Sequence, residues 1–179
     1  MESIYDEIDV SILSSRLDEI LEDTIKRRDK LFHNGTKFYI AGPWFTSKSK
    51  LLLNGFVKRT ALETMTKTSF EYYYPNEEYN KTPKDAYQNN VKHLEKCDAV
   101  IALIDEKDVG TAWEIGYALA LRKPVYLLGL DETSFKKKTN VMLSFGAKCI
   151  TCKDLYYLLT NQIEKVKFIK IDNTWEGKE

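Results

Sequence analysis

Cysteine, long apolar runs and surplus charge of either sign are all scarce in this 179-residue chain. Its three cysteines are an odd number without framework spacing, which excludes a disulfide-stapled secreted scaffold and fits a reducing, cytoplasmic setting. The longest apolar stretches, such as Val100-Ile101-Ala102-Leu103-Ile104, are far too short to cross a bilayer. No charged segment leading into an apolar stretch opens the chain, so no secretory leader is expected. Lys plus Arg and Asp plus Glu each count 27, so the formal net charge is zero. That argues against sequence-independent binding of a nucleic-acid polymer, which needs extra cations to displace counterions. A small substrate derived from nucleic acid stays open. What is present is an ordinary globular mixture, 43% hydrophobic and 30% charged. The length suits one domain, with or without an appendage, and a core that needs no staple.

Ile12, Leu13, Leu17, Ile20, Leu21, Ile25, Leu31 and Phe32 recur at three- and four-residue spacing. This pattern predicts an amphipathic helical extension over residues 1–35, ended by Asn34-Gly35, ahead of a domain spanning 36–179. Beyond it, strand and helix signals alternate. Strands are expected at 37–42, 69–74, 98–105, 124–130 and 147–152. Helices are expected at 47–66, 83–97, 110–122 and 153–166. Thr82-Pro83-Lys84-Asp85 supplies a cap, a first-position proline and a first-turn acid for the second of these. Such alternation predicts an α/β fold with right-handed crossovers and a mainly parallel five-stranded sheet. Ligands of such sheets sit beyond the carboxyl ends of the strands. That rule selects the loops at 42–47, 75–82 and 105–111.

The first loop reads Gly42-Pro43-Trp44-Phe45. Paired aromatics there are either a stacking platform for a flat ring or a plug against the core. The third loop and its helix read Asp108-Val109-Gly110-Thr111-Ala112-Trp113-Glu114-Ile115-Gly116. Gly110 and Gly116 permit close approach, and Trp113 and Ile115 suit burial. Glu114 is then either dipole chemistry in the first turn or a partly buried nucleophile or base. Asp108 is an acceptor fit for sugar hydroxyls. Cys149-Ile150-Thr151-Cys152 has CxxC spacing, but only Cys97, His33 and His93 remain as soft ligands, so packing is the better explanation and no metal is expected. His93 reads as a surface histidine, and Tyr72-Tyr73-Tyr74 as core and interface. The first strand-to-helix turn lacks GxGxxG, which disfavours a dinucleotide-binding domain.

Five segments in order, FYIAGPWFT (38–46), YQNN (87–90), DVGTAWEIGYA (108–118), KPV (123–125) and NVM (140–142), resemble the nucleoside 2-deoxyribosyltransferases. The resemblance runs from 37 to about 152. It implies a flavodoxin-like three-layer sandwich and transfer of 2-deoxyribose between nucleobases, in nucleoside salvage, without metal or organic cofactor. Glu114 falls at the family's nucleophile, which carries the sugar as a covalent ester. Tyr39 matches the tyrosine that orients it, and Asp108 the carboxylate that binds deoxyribose. Gly42, Trp44, Phe45 and Gly110 fall in the substrate pocket. Asn140 matches the residue reaching the 5′-hydroxyl, and Met142 a base neighbour. In the family both come from an adjoining subunit, so a homo-oligomer, dimer or hexamer, is implied. The partners are deoxynucleosides and free nucleobases.

One position departs from the pattern. Asn90 stands where the family has an aspartate that helps protonate the leaving base, and an amide has no such proton. Either the register differs by one residue, or water, Asp85 or Glu77 assists, or the site is slow or tuned to another base. Two rival readings follow. A related hydrolase cleaves deoxynucleoside 5′-monophosphates, but Asp108 opposes a phosphate unless Lys136-Lys137-Lys138 folds over the site. A nucleoside-binding module with weakened chemistry is favoured by Asn90 alone.

Overall fold

Strand β1 (Lys37–Ala41) begins a sheet whose members alternate with helices along the chain. After it come α1 (Arg59–Met65), β2 (Glu71–Tyr73), α2 (Pro83–Lys96), β3 (Ala99–Leu103) and α3 (Val109–Ala120). The second half adds β4 (Val125–Gly129), α4 (Thr133–Lys136), α5 (Val141–Gly146), β5 (Lys148–Thr151) and α6 (Cys152–Leu159). The computed structural model describes residues 32–44, 57, 59–65, 70–77, 79–104, 108–136 and 141–171. The chain divides into units 1–31 and 32–179, and the helix expected before residue 32 lies outside the described residues.

All five strands are parallel, in the order β2-β1-β3-β4-β5. The expected α/β architecture is therefore present, with a fully parallel sheet. The chain runs from β1 outward to β2, then crosses back to β3. The order reverses between β1 and β3, which makes their carboxyl ends the crevice where such sheets bind ligands. Strand β3 (AVIAL) is buried at every residue, as a central parallel strand covered on both faces must be. Ile169 donates its N–H to the Cys149 carbonyl in one antiparallel bridge. The Asp154 carboxylate accepts from Lys167 N at 3.0 Å, holding the same segment along β5.

Helix ends are chemically explicit. Thr82 and Asp85 form a reciprocal capping box, with Pro83 at the first helical position, as expected. Thr151 and Asp154 do the same for α6. The helix expected to reach residue 166 instead ends at Leu159. Asn161 takes a left-handed φ of 55°, and Gln162 N–H bonds back to the Tyr157 carbonyl. A short 3₁₀ turn, Ile163–Lys165, follows. Helices α4 and α5 were not expected, because residues 131–146 hold too few periodic apolar positions to announce four- and six-residue helices.

The pleat of β1 sends alternate side chains into two cores. Phe38 and Ile40 join an aromatic-rich cluster with Phe70, Tyr72 and Tyr126. Tyr39 and Ala41 join a cluster with Val100, Ala102 and Leu94, and with Ile115 and Ala118 of α3. Among the described residues no helix is long and apolar enough to cross a membrane.

Candidate active site

Tyr39 lies in the middle of β1, fully buried. Its hydroxyl donates to Glu114 Oε1 at 2.6 Å, across 75 residues of sequence. Glu114 is the sixth residue of α3, so it sits in the second turn. The first-turn dipole explanation therefore fails for Glu114. The capping position belongs to Asp108, whose Oδ2 accepts from Thr111 N at 2.7 Å and Thr111 Oγ1 at 2.9 Å.

Burial pushes the Glu114 carboxyl up to about 7 from 4.5. The Tyr39 hydrogen bond opposes that rise, and the charge of Asp108 adds to it. Tyr39 itself is raised, chiefly by burial and then by Glu114, so its hydroxyl stays a donor. A carboxylate made reactive by desolvation and held by one short hydrogen bond can act as nucleophile or base near neutral pH.

The glycines behave differently from one another. A Cβ on Gly110 would stand 3.1 Å from Asp108 Oδ2, so a side chain there would press on the cap. At Gly116 a Cβ would meet nothing within 4 Å, and no close approach explains that glycine. Ile115 is buried as expected, whereas Trp113 is 43% exposed and stacks on Tyr117.

The loop after β1 carries Gly42, buried, whose carbonyl accepts from Trp44 N at 2.9 Å. Trp44 packs on the aromatic-rich cluster, edge-on to Tyr74 at 5.6 Å. Its indole Nε1 is buried without a hydrogen-bond partner. This packing is that of a plug against the core. Phe45 and Asn140 lie outside the described residues. Met142, on α5, is 78% exposed. Asp85 is engaged in the capping box of α2, and Glu77 is an exposed turn residue.

Asn90 sits on α2, and its Oδ1 accepts a hydrogen bond from the Tyr73 hydroxyl at 3.1 Å. Tyr73 pairs in register with Tyr39, and the two rings lie 5.2 Å apart. His93 stacks flat on Tyr73 at 3.6 Å, so it is not a simple surface histidine. Tyr73 packs on the core as read, and its contacts with Asn90 and His93 were not anticipated. The visible signal was the i, i+3 spacing of Asn90 and His93, which puts them on one helix face.

The CxxC pair straddles the β5–α6 junction, and Cys149 and Cys152 are not joined by a disulfide. Burial raises the Cys149 thiol to about 11, which disfavours the reactive thiolate.

A family model described as nucleoside 2-deoxyribosyltransferase matches residues 38–148, more than half of the chain. An uncharacterised protein of Ureaplasma parvum is 26% identical over 125 residues, 61% of this chain and 79% of that protein. A solved 2-deoxyribosyltransferase from Bacillus psychrosaccharolyticus is 21% identical and superposes with a TM-score of 0.55, covering 68% of this chain and 90% of that one. That likeness is one of fold. A 2-deoxyribosyltransferase from Leishmania mexicana is 26% identical, with a TM-score of 0.45, over 54% of this chain and 65% of its own.

Proposed function

The chain belongs to the nucleoside 2-deoxyribosyltransferase family, and we propose that it moves 2-deoxyribose from one nucleobase to another through a covalent deoxyribosyl-Glu114 ester. The observation that carries this reading is the short Tyr39–Glu114 bond at the switch point of the sheet. Glu114 in its ionised form attacks the anomeric carbon, and the first base leaves. A second base attacks from the opposite face, and two inversions retain configuration, the logic of a retaining glycosidase. The carboxylate also stabilises the oxocarbenium-like transition state. Tyr39 holds the attacking group in place. Asp108, whose Oδ2 serves the α3 cap, offers Oδ1 to the sugar hydroxyls.

The exposed Met142, with Asn140, reaches a neighbouring subunit's pocket in this reading, so the working form is a homo-oligomer, a dimer or a hexamer. Phe45 borders the base in this reading, and Gly42 and Gly110 keep the backbone close to the substrate. The reaction needs no metal or organic cofactor and serves nucleoside salvage in the cytoplasm.

A single chromatographic assay tests this. Purified protein is given a deoxynucleoside with and without a different free base, and in parallel deoxynucleoside monophosphates. New deoxynucleoside that forms only with the acceptor is the expected result. Free base and free sugar, above all from the monophosphate, would replace transfer by hydrolysis. No reaction across a broad panel would leave a binding module.

A further inference from the structure

Tyr73 is held at three points. One side of its ring meets Tyr39 at 5.2 Å, the partner of Glu114. His93 stacks on it at 3.6 Å with an interplanar angle of 9°. Its hydroxyl donates to Asn90 Oδ1 at 3.1 Å. Asn90 and His93 are three residues apart on α2, so one tyrosine grips one helix face by ring and by hydroxyl together. A free carboxamide has two nearly isosteric orientations, one presenting an acceptor and the other donors. Here Oδ1 is turned to the Tyr73 hydroxyl, which leaves the two N–H donors on Nδ2 unused by that contact.

We propose that Tyr73 is a positioning residue that fixes the Asn90 carboxamide as a hydrogen-bond donor, so that the site favours nucleobases leaving as anions. This rests on the deoxyribosyl-transfer reading above. The C1′–N bond breaks and its electron pair stays on the base nitrogen. A Glu114 oxygen forms the new C1′–O bond, so the negative charge passes from Glu114 to the base. Asn90 transfers no proton. Its N–H groups stabilise the anion by hydrogen bonding, and water protonates the base afterwards. The bases suited to this are those that spread charge onto a carbonyl oxygen or an adjacent ring nitrogen, namely 6-oxopurines and 2,4-dioxopyrimidines. Their amino counterparts are poorer anions and call for an acid the site does not supply from Asn90.

The test is Tyr73→Phe, which keeps the ring stack and removes the hydroxyl. One hydrogen bond biases the amide by about fivefold. The expected result is a fall of that order in kcat for oxo-base donors, a smaller fall for amino-base donors and little change in KM. In an Asn90→Ala background the same substitution is expected to do nothing. An equal loss on every donor, or an undiminished loss in that background, would overturn the proposal. Asn90→Asp supplies a second reading that does not depend on Tyr73→Phe folding. It keeps an acceptor for Tyr73, removes the donors, and should shift relative rates toward amino-base donors; unchanged preference would count against the proposal. Should the wild-type protein transfer no sugar, the functional reading fails by itself. The Tyr73–Asn90 bond is then judged by the side-chain amide signals of Asn90 in ¹⁵N-labelled protein. These are identified by their loss in Asn90→Asp and should move in Tyr73→Phe. Unmoved signals would refute the bond.

Discussion

The two faces of the central sheet are built for different ends. On one, β1 contributes Phe38 and Ile40 to rings packed on rings. Phe38 stacks on Phe32 at 5.3 Å and meets Phe70 edge-on at 5.3 Å. On the other, the same strand contributes Tyr39 and Ala41 beside Ala102 and Ala118, small residues that let α3 lie close. That closeness brings the Glu114 carboxylate against a buried tyrosine. Large side chains seal the first face and supply apolar burial. Small ones on the second leave room for a charged group that burial alone would reject. One strand thus feeds an aromatic core on one side and a buried tyrosine–carboxylate pair on the other, through the period-two alternation of its side chains.

Substitutions that separate the two faces sharpen this contrast. Glu114→Ala should reduce sugar transfer by at least about a thousandfold, because a missing nucleophile removes the covalent route. Its thermal midpoint should not fall, and full activity in the variant would end the nucleophile assignment. Phe38→Ala, on the opposite face of the same strand, should cost about 3–5 kcal/mol in urea unfolding. Activity per folded molecule should survive. A Phe38 variant that is stable but inactive would show that the faces are not separable.

The raised Glu114 carboxyl gives a third, smaller effect. Its folded value is about 7 against 4.5, so between those limits the folded state binds the extra proton. Stability should therefore decline as pH rises from about 4.5 to about 7, by about 2 kcal/mol after allowance for partial solvent contact. Glu114→Gln should flatten that slope, and parallel pH–stability curves for the two proteins would contradict the burial argument. As the proposed nucleophile, Glu114 must be ionised, so the transfer rate should rise with pH toward a plateau above about 7. Tyr39→Phe removes the bond that favours the ionised form. The acidic limb of that profile should move to higher pH, with a loss of about tenfold at neutral pH. An unmoved limb would deny Tyr39 its influence on Glu114.

Much of the fold was legible because local signals agreed. Alternating apolar strands and helices, Pro83 after Thr82, and the turn at Gly35 each have a local cause. The helix expected through 166 failed because Asn161 adopts a left-handed conformation that composition alone did not announce. Of the expected site residues, Tyr39 and Glu114 prove to be bonded, and Asp108 caps the helix that carries Glu114. Of the two readings left open for Glu114, dipole chemistry in the first turn does not hold. The first turn belongs to Asp108, and Glu114 owes its character to burial. Tyr73 and His93 were passed over because their meeting depends on how α2 lies against β2.

Sequence alone was enough for the alternation of elements, the Thr82 cap and the family motifs, since each is written in neighbouring residues or fixed spacings. The tertiary fold had to bring Tyr39 to Glu114 across 75 residues, the Tyr73 hydroxyl to the Asn90 amide, and Trp44 against the aromatic core. These contacts depend on which face of the sheet a crossover helix covers and how deeply it is buried. Desolvation, which sets the character of Glu114, exists only once distant segments have excluded water together.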